Sequence, residues 1–243
     1  VARRVALLPG VGAVETRVTL TVALDVPGLA LPAAGRVVSV PDHGEPALHG
    51  VHLRLGRLPR PRSPDEVVVS AGFAAANRIG VGDSLGAVLD GRWQRLRVVG
   101  IGLSPEFVWE LSAAGTYTAD ERAAGVLWMS HAAVEAAAGM QGAFNDVVLR
   151  LAPGASRPAV LAALDSVLAP YGGRGAVGRD RQPSHEVIAA ELRSLGVFGI
   201  TFPLIFVAVA GFLLNVVLAR MVATEREQIA VLKAFGYGDG EVG

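Results

Sequence analysis

Three places in the 243-residue sequence bring together residue types capable of chemistry. His185-Glu186 opens an H-E-x-x-H pattern, in which two histidines one helical turn apart hold zinc and the glutamate activates water. The second ligand position is Ala189, so the pattern fails on a required residue. Gly102-Leu103-Ser104-Pro105-Glu106 follows a nucleophile elbow until its last position, where Glu106 replaces the small glycine that lets the strained turn close. A membrane-anchored hydrolase would have to use Ser104 with Glu106 or His185. His43, His49 and His52 lie in a Pro/Gly-rich stretch, where a solvated loop is a better reading than a metal site. Gly80, Gly82 and Gly86 do not make G-x-G-x-x-G and no G-x-x-x-x-G-K-[ST] occurs, so ATP would have to be bound by another chain or domain. The expectation is a non-enzymatic chain with no catalytic residue, no metal and no cofactor.

Composition narrows the class. Half of the residues are hydrophobic (51%), 18% are charged and the mean hydropathy is +0.44, too apolar for an ordinary soluble globule and mild for a polytopic membrane protein. A soluble domain joined to a spanning helix fits both figures. Lys plus Arg equals Asp plus Glu at 22 each, so no broad basic field attracts nucleic acid. The absence of cysteine removes disulfides and thiolate chemistry.

The spanning helix is Ser194 to Ala219, SLGVFGITFPLIFVAVAGFLLNVVLA, which holds no Asp, Glu, Lys, Arg or His. As a helix its 26 residues extend about 39 Å, enough to cross a hydrocarbon core of roughly 30 Å with some tilt. Pro203 and Gly211 are tolerated in such helices, and Thr201 and Asn215 are polar groups suited to bonding a neighbouring helix. Arg220, Arg226 and Lys233 follow the run and Arg193 precedes it, which favours a cytoplasmic C-terminal side. From Glu225 to Phe235 (EREQIAVLKAF) the helical period puts Ile229, Val231, Leu232 and Phe235 on one side and Arg226, Glu227 and Lys233 on the other. Gly236 is placed to end this helix as a C-cap. An amphipathic helix at a membrane exit either lies on lipid or docks into a cytoplasmic partner.

Upstream, residues 13–182 read as an α+β domain. Val14–Leu24 alternates like one half-buried strand, and further strands are expected at Arg36–Val40, Val51–Leu55, Glu66–Ser70, Ser84–Leu89, Arg95–Ile101, Val126–Met129 and Asn145–Leu151. Asp90-Gly91 between two such runs signals a hairpin. Helices are expected at Ser70–Arg78, from an N-cap at Ser130 through Ala138, at Arg157–Leu168, and from Ser184 into the span. The short Ala-rich helices are expected on one face of a small mixed sheet, with no internal repeat.

The segment after the span resembles the FtsX-like permeases of ABC transporters, the group that includes MacB- and LolC-type subunits. That family carries a stretch similar to E-R-x-x-E-I-A-V-L-R-A-L-G-A after its second spanning helix. The matching residues are Glu225, Arg226, Ile229, Ala230, Val231, Leu232, Ala234 and Gly236. Gln228 stands where the family usually has glutamate, and Lys233 where it has arginine. Leu7-Leu8-Pro9-Gly10-Val11, Gly56-Arg57-Leu58-Pro59, Asp65-Glu66-Val67-Val68-Val69, Val81-Gly82-Asp83-Ser84-Leu85 and Val98-Val99-Gly100-Ile101 resemble the extracytoplasmic insertion of the same family.

The resemblance implies a MacB-like periplasmic core type of α+β domain followed by a transmembrane helix and a cytoplasmic amphipathic helix. It implies four segments: residues 1–12 ending a helix from an upstream first span, the domain at 13–182, a connecting and transmembrane helix at 184–219 with the span at 194–219, and a cytoplasmic coupling segment at 220–243. It further implies a multi-pass protein of a bacterial plasma membrane, in contact with lipid and with a second permease copy or paralogue. A cytoplasmic ABC ATPase subunit would receive the coupling helix through Glu225, Arg226, Gln228, Ile229, Val231, Leu232, Lys233, Phe235 and Gly236. A membrane-anchored sensor with an extracytoplasmic ligand-binding domain is the alternative.

Overall fold

The computed structural model describes residues 1–44, 46–48, 50–107, 121–236 and 238, without the side chains at 183, 187, 191, 225, 228 and 229. The chain forms two units, Val1–Val187 and Ile188–Gly243. The first begins with a short helix α1 (Ala2–Ala6) and strand β1 (Val11–Arg17), which pairs antiparallel with β9 (Asp146–Leu151). Helix α4 (Arg157–Leu168) follows β9 and buries Val160 and Leu164, with Val160 so close to Gly10 that a Cβ there would lie 2.8 Å from it.

The expected single strand Val14–Leu24 is two strands in different sheets. Chain pairing switches at Val18, whose N–H donates to Ser39 Oγ while its carbonyl accepts from the Ser39 N–H. Beyond it runs β2 (Thr19–Asp25), followed by β3 (Ala33–Val40), β4 (His52–Gly56), β5 (Glu66–Ser70), α2 (Ala71–Asn77), β6 (Ser84–Leu89), β7 (Arg92–Leu103), β8 (Ala124–Ser130) and α3 (His131–Ala137). At the tip of β6–β7, Asp90 and Gly91 have φ of 46° and 76°, the left-handed pair that a two-residue hairpin loop requires.

These strands make a mixed sheet, as expected, which closes on itself into a barrel. The ring runs β7-β5-β8-β3-β2-β6 and returns to β7, with β4 added outside it along the C-terminal half of β7. Alternation along the strands divides apolar residues between two clusters, the separation that closure demands. Val37, Val67, Val69, Leu127 and Met129 join the larger core with Phe73 of α2 and Val134 of α3. Val38, Val68, Val126 and Trp128 join a second cluster covered by Val51, Leu58 and Phe107. Burying each such side chain contributes about 1.5–3 kcal/mol.

The barrel also holds a repeat that is not apparent in the sequence. Each half is a hairpin (β2–β3, β6–β7) followed by a strand and a seven-residue helix (β5–α2, β8–α3). Each hairpin runs parallel to the other half's last strand, with Val40 opposite Ser130 and Gly102 opposite Ser70. The halves meet antiparallel, Val68 opposite Trp128 and Leu24 opposite Ala87, so an approximate two-fold axis passes between them. Such swapped pairing leaves no half able to close its own core.

Helix α5 (Pro183–Ala234) starts in the first unit and forms the described part of the second.

Candidate functional site

The first candidate is the last turns of α5. The helix is continuous through Ala234, and its end is set by Gly236, whose φ of 91° suits only glycine and whose N–H donates to Lys233 O. Val231, Leu232 and Phe235 are exposed, with Phe235 at 77%, and Arg226 is exposed on the polar side. The side chains of Glu225, Gln228 and Ile229 lie outside the described ones.

Among the described residues, Ser184–Thr224 is the one stretch of helix long and apolar enough to cross a membrane. At ~100° per residue Thr201 and Asn215 fall within about 40° of one another, but Val197, Leu204 and Phe212 lie on the same side, so small and large residues are not segregated along the helix. Phe198 and Phe202 stack at 5.7 Å. Thr201 and Asn215 are uncharged and form no charged pathway.

Where α5 begins, the turn after β7 acts as a clasp. The Glu106 carboxylate accepts from Arg17 Nη1 at 2.6 Å and Nη2 at 2.8 Å, and Arg17 Nε also donates to Asp146 Oδ2 at 2.8 Å. The Glu106 carbonyl accepts from Gln182 Nε2 at 2.6 Å and from the hydroxyl of Ser184 at 2.9 Å. One residue thus ties β1, β9 and the start of α5 together, while neighbouring Phe107 packs edge-on against Trp128. Burial opposes charge on Arg17, but the hydrogen bonds and Coulomb attraction of Glu106, then of Asp146, outweigh it and hold the guanidinium charged.

This clasp answers the nucleophile-elbow reading. Ser104 is buried and its Oγ accepts from the Glu106 N–H at 3.4 Å, while the Glu106 carboxylate is committed to Arg17. Neither group is placed as a nucleophile or its base. His185 lies in the first turn of α5 and is exposed. His43 lines a cleft with Asp42 and His131, His52 lies on β4, and His49 is outside the described residues.

Two further polar centres were not singled out as sites by the sequence. Ser130, at the end of β8, donates to Asp42 and accepts from the N–H of Arg62, and Asp42 also accepts from the Ala132 N–H. Burial alone would raise the Asp42 pKa; bonds from Ser130 and from the amides of Ala132 and Arg62, with nearby His131, lower it instead. The other centre is Glu66, at the start of β5, whose carboxylate is surrounded by Arg57, Arg60 and Arg97. The Arg57 hydrogen bonds chiefly hold its pKa down to about 2, against burial and with help from the Arg60 amide. Arg57 and Glu66 belong to the Gly56–Pro59 and Asp65–Val69 segments that carry the family resemblance, but nothing in the sequence pairs them.

Over residues 1–167 the sequence matches the family described as the MacB-like periplasmic core domain. None of the curated proteins matches. Similar solved structures include the periplasmic region of MacB from Actinobacillus actinomycetemcomitans, at 14% identity over 69% of this chain and 72% of that one, with a TM-score of 0.42. The extracellular domain of the noncanonic ABC-type transporter YknZ from Gram-positive bacteria is similar at 11% identity over 72% and 84%, with a TM-score of 0.46. A domain of a permease protein from Porphyromonas gingivalis is similar at 18% identity over 70% and 75%, with a TM-score of 0.40.

Proposed function

The chain belongs to the MacB-like periplasmic core domain family, and from that premise we propose that it is part of the permease subunit of an ABC transporter. It couples ATP hydrolysis by a cytoplasmic ATPase subunit to transport or to work on a substrate outside the membrane. The observation that carries this reading is the composition of α5. One helix includes an uncharged run of spanning length and ends in exposed Val231, Leu232 and Phe235 flanked by Arg226 and Lys233.

In this reading residues 1 to about 190 lie outside a bacterial plasma membrane, 194–219 cross it, and 220–243 lie in the cytoplasm. Glu225, Arg226, Gln228, Ile229, Val231, Leu232, Lys233, Phe235 and Gly236 form the ATPase-docking segment. Thr201 and Asn215 bond to another helix of the permease or of its second copy or paralogue, and the rest of the span meets lipid. The subunit does no chemistry of its own. Motion at the cytoplasmic end passes along α5, and the Glu106 clasp is where it enters the outer domain.

Replacing Leu232 and Phe235 together with aspartate tests the reading, because two charges on an apolar docking face leave insertion of the 194–219 run unchanged while opposing contact. Loss of co-purification with the ATPase subunit, with normal membrane insertion, is the expected outcome. Undiminished co-purification and undiminished transport-coupled ATPase activity would contradict it.

A further inference from the structure

The arginines around Glu66 are arranged as a receptor for anionic groups. Arg57 Nη1 and Nη2 each reach a Glu66 oxygen at 2.7 Å, Arg97 Nη2 reaches Oε1 at 2.9 Å, and Arg60 Nε lies 4.0 Å from the same oxygen. Three guanidiniums and one carboxylate leave a net charge of +2. The carboxylate side chain is 1% exposed and those of Arg57, Arg60 and Arg97 are 41%, 69% and 51% exposed, so the compensating acid is inside and the excess charge outside. Asp65 is also exposed next to the cluster and makes no ion pair with it among the described residues.

The frame holding these groups is stiff. The loop 56–65 contains Pro59, Pro61 and Pro64, and its Arg62 N–H is held by Ser130 Oγ at 2.9 Å and Asp42 Oδ1 at 3.2 Å. Little conformational freedom remains to be lost on binding an anion.

The cluster sits at the C-terminal end of a strand whose outer edge is unpaired among the described residues. β4 pairs only with β7 among the described residues, and the Arg57 N–H continues that pairing by donating to Val99 O. All five β4 residues are exposed, including Leu53 and Leu55. A bulge at Arg54 interrupts the register, a device that natural edges use against uncontrolled pairing. Protection of the edge accounts for Arg54 but not for three arginines gathered on one buried carboxylate. It also disfavours a second copy of this chain as the occupant, since antiparallel self-pairing about the strand centre sets Arg54 against Arg54.

We propose that the open edge of β4 and the Arg57–Arg60–Arg97 cluster form a docking site for an extended acidic segment of a partner protein. The segment's backbone adds to β4 and its carboxylates meet the arginines. This site is independent of the ATPase-docking segment and stands whether or not that reading holds.

The test uses the whole chain in phosphatidylcholine nanodiscs and a soluble octapeptide of alternating valine and glutamate, with an alternating valine–lysine octapeptide and an N-methylated valine–glutamate octapeptide as controls. Binding of the acidic peptide should slow amide hydrogen exchange in residues 52–56 and weaken with salt. Arg60→Gln and Arg97→Gln should each weaken it up to about fivefold, the range of an exposed ion pair. Both variants leave Arg57 on Glu66, and a cooperative unfolding transition verifies that they fold. The N-methylated peptide should give no protection of β4.

Four results would each overturn the proposal: no slowing of exchange in β4, equal affinity in the Arg60→Gln/Arg97→Gln double variant, equal binding of the lysine peptide, or an arginine-dependent affinity for phosphatidylglycerol vesicles without any for the acidic peptide.

Discussion

Replacing Arg17 with methionine tests whether the Glu106 clasp holds the outer domain together. The guanidinium side chain is 6% exposed and bridges Glu106, 13% exposed, and Asp146, 33% exposed. Methionine fills part of the volume but strands two carboxylates of like sign. Breaking a buried ion pair from one side costs roughly 3–5 kcal/mol, and the partial exposure of Asp146 places this case near the lower figure, about 3 kcal/mol. For a unit of this size each kcal/mol shifts the midpoint by about 2–4 °C, so a drop of about 6–12 °C is expected. Trp93 and Trp128 lie in the first unit, so their fluorescence follows its unfolding in the detergent-solubilised chain. The penalty is electrostatic, so acidification that protonates the stranded carboxylates should reduce it, and adding Glu106→Gln should recover part of it at neutral pH. A loss below about 1 kcal/mol, or one equally large at acid pH, would refute the reasoning.

The Glu66 cluster gives a pH dependence of definite sign. Its folded pKa is depressed to about 2 from 4.5, so its stabilisation is complete above pH 4.5 and is lost as pH falls through 2. The full shift corresponds to about 3 kcal/mol, and half-exposed arginine partners reduce this to about 1–2 kcal/mol. Acid titration of the unfolding free energy should show that step in the native chain and lack it in Glu66→Gln; the same step in both would exclude Glu66 as its source. Gly125→Ala should destabilise the barrel by about 1–3 kcal/mol, because a Cβ there would lie 2.6 Å from the Phe73 ring; an unchanged denaturation midpoint would mean that α2 shifts freely.

Local elements were legible because local rules set them. β5, β6 and α4 match the expected spans, since valine runs, alternation and helical period all act within a few residues. Asp90-Gly91 imposes its turn for the same reason. The barrel was hidden because its closure joins Val40 to Ser130 and Ser70 to Gly102, pairings between segments far apart in sequence. The repeat was hidden because its halves share burial and topology but little identity: Phe73 and Ala74 in one helix stand where Ala133 and Val134 stand in the other. Val14–Leu24 looked continuous because alternation survives the change of sheet at Val18. Arg17 and Glu66 resemble ordinary surface charges until the partners at 106, 146 and 97 are brought to them. The uncharged run was readable because the length and polarity a membrane demands of a helix are written directly in sequence.

Placing a photo-crosslinking amino acid at Val231 or Phe235 of the full-length protein, in membranes that also contain the ATPase subunit, tests the central claim most directly. The expected result is an adduct with that subunit from both positions, and none from a control at Phe206 inside the uncharged run. Adducts with lipid alone from Val231 and Phe235 would make the segment an interfacial anchor and contradict the coupling role.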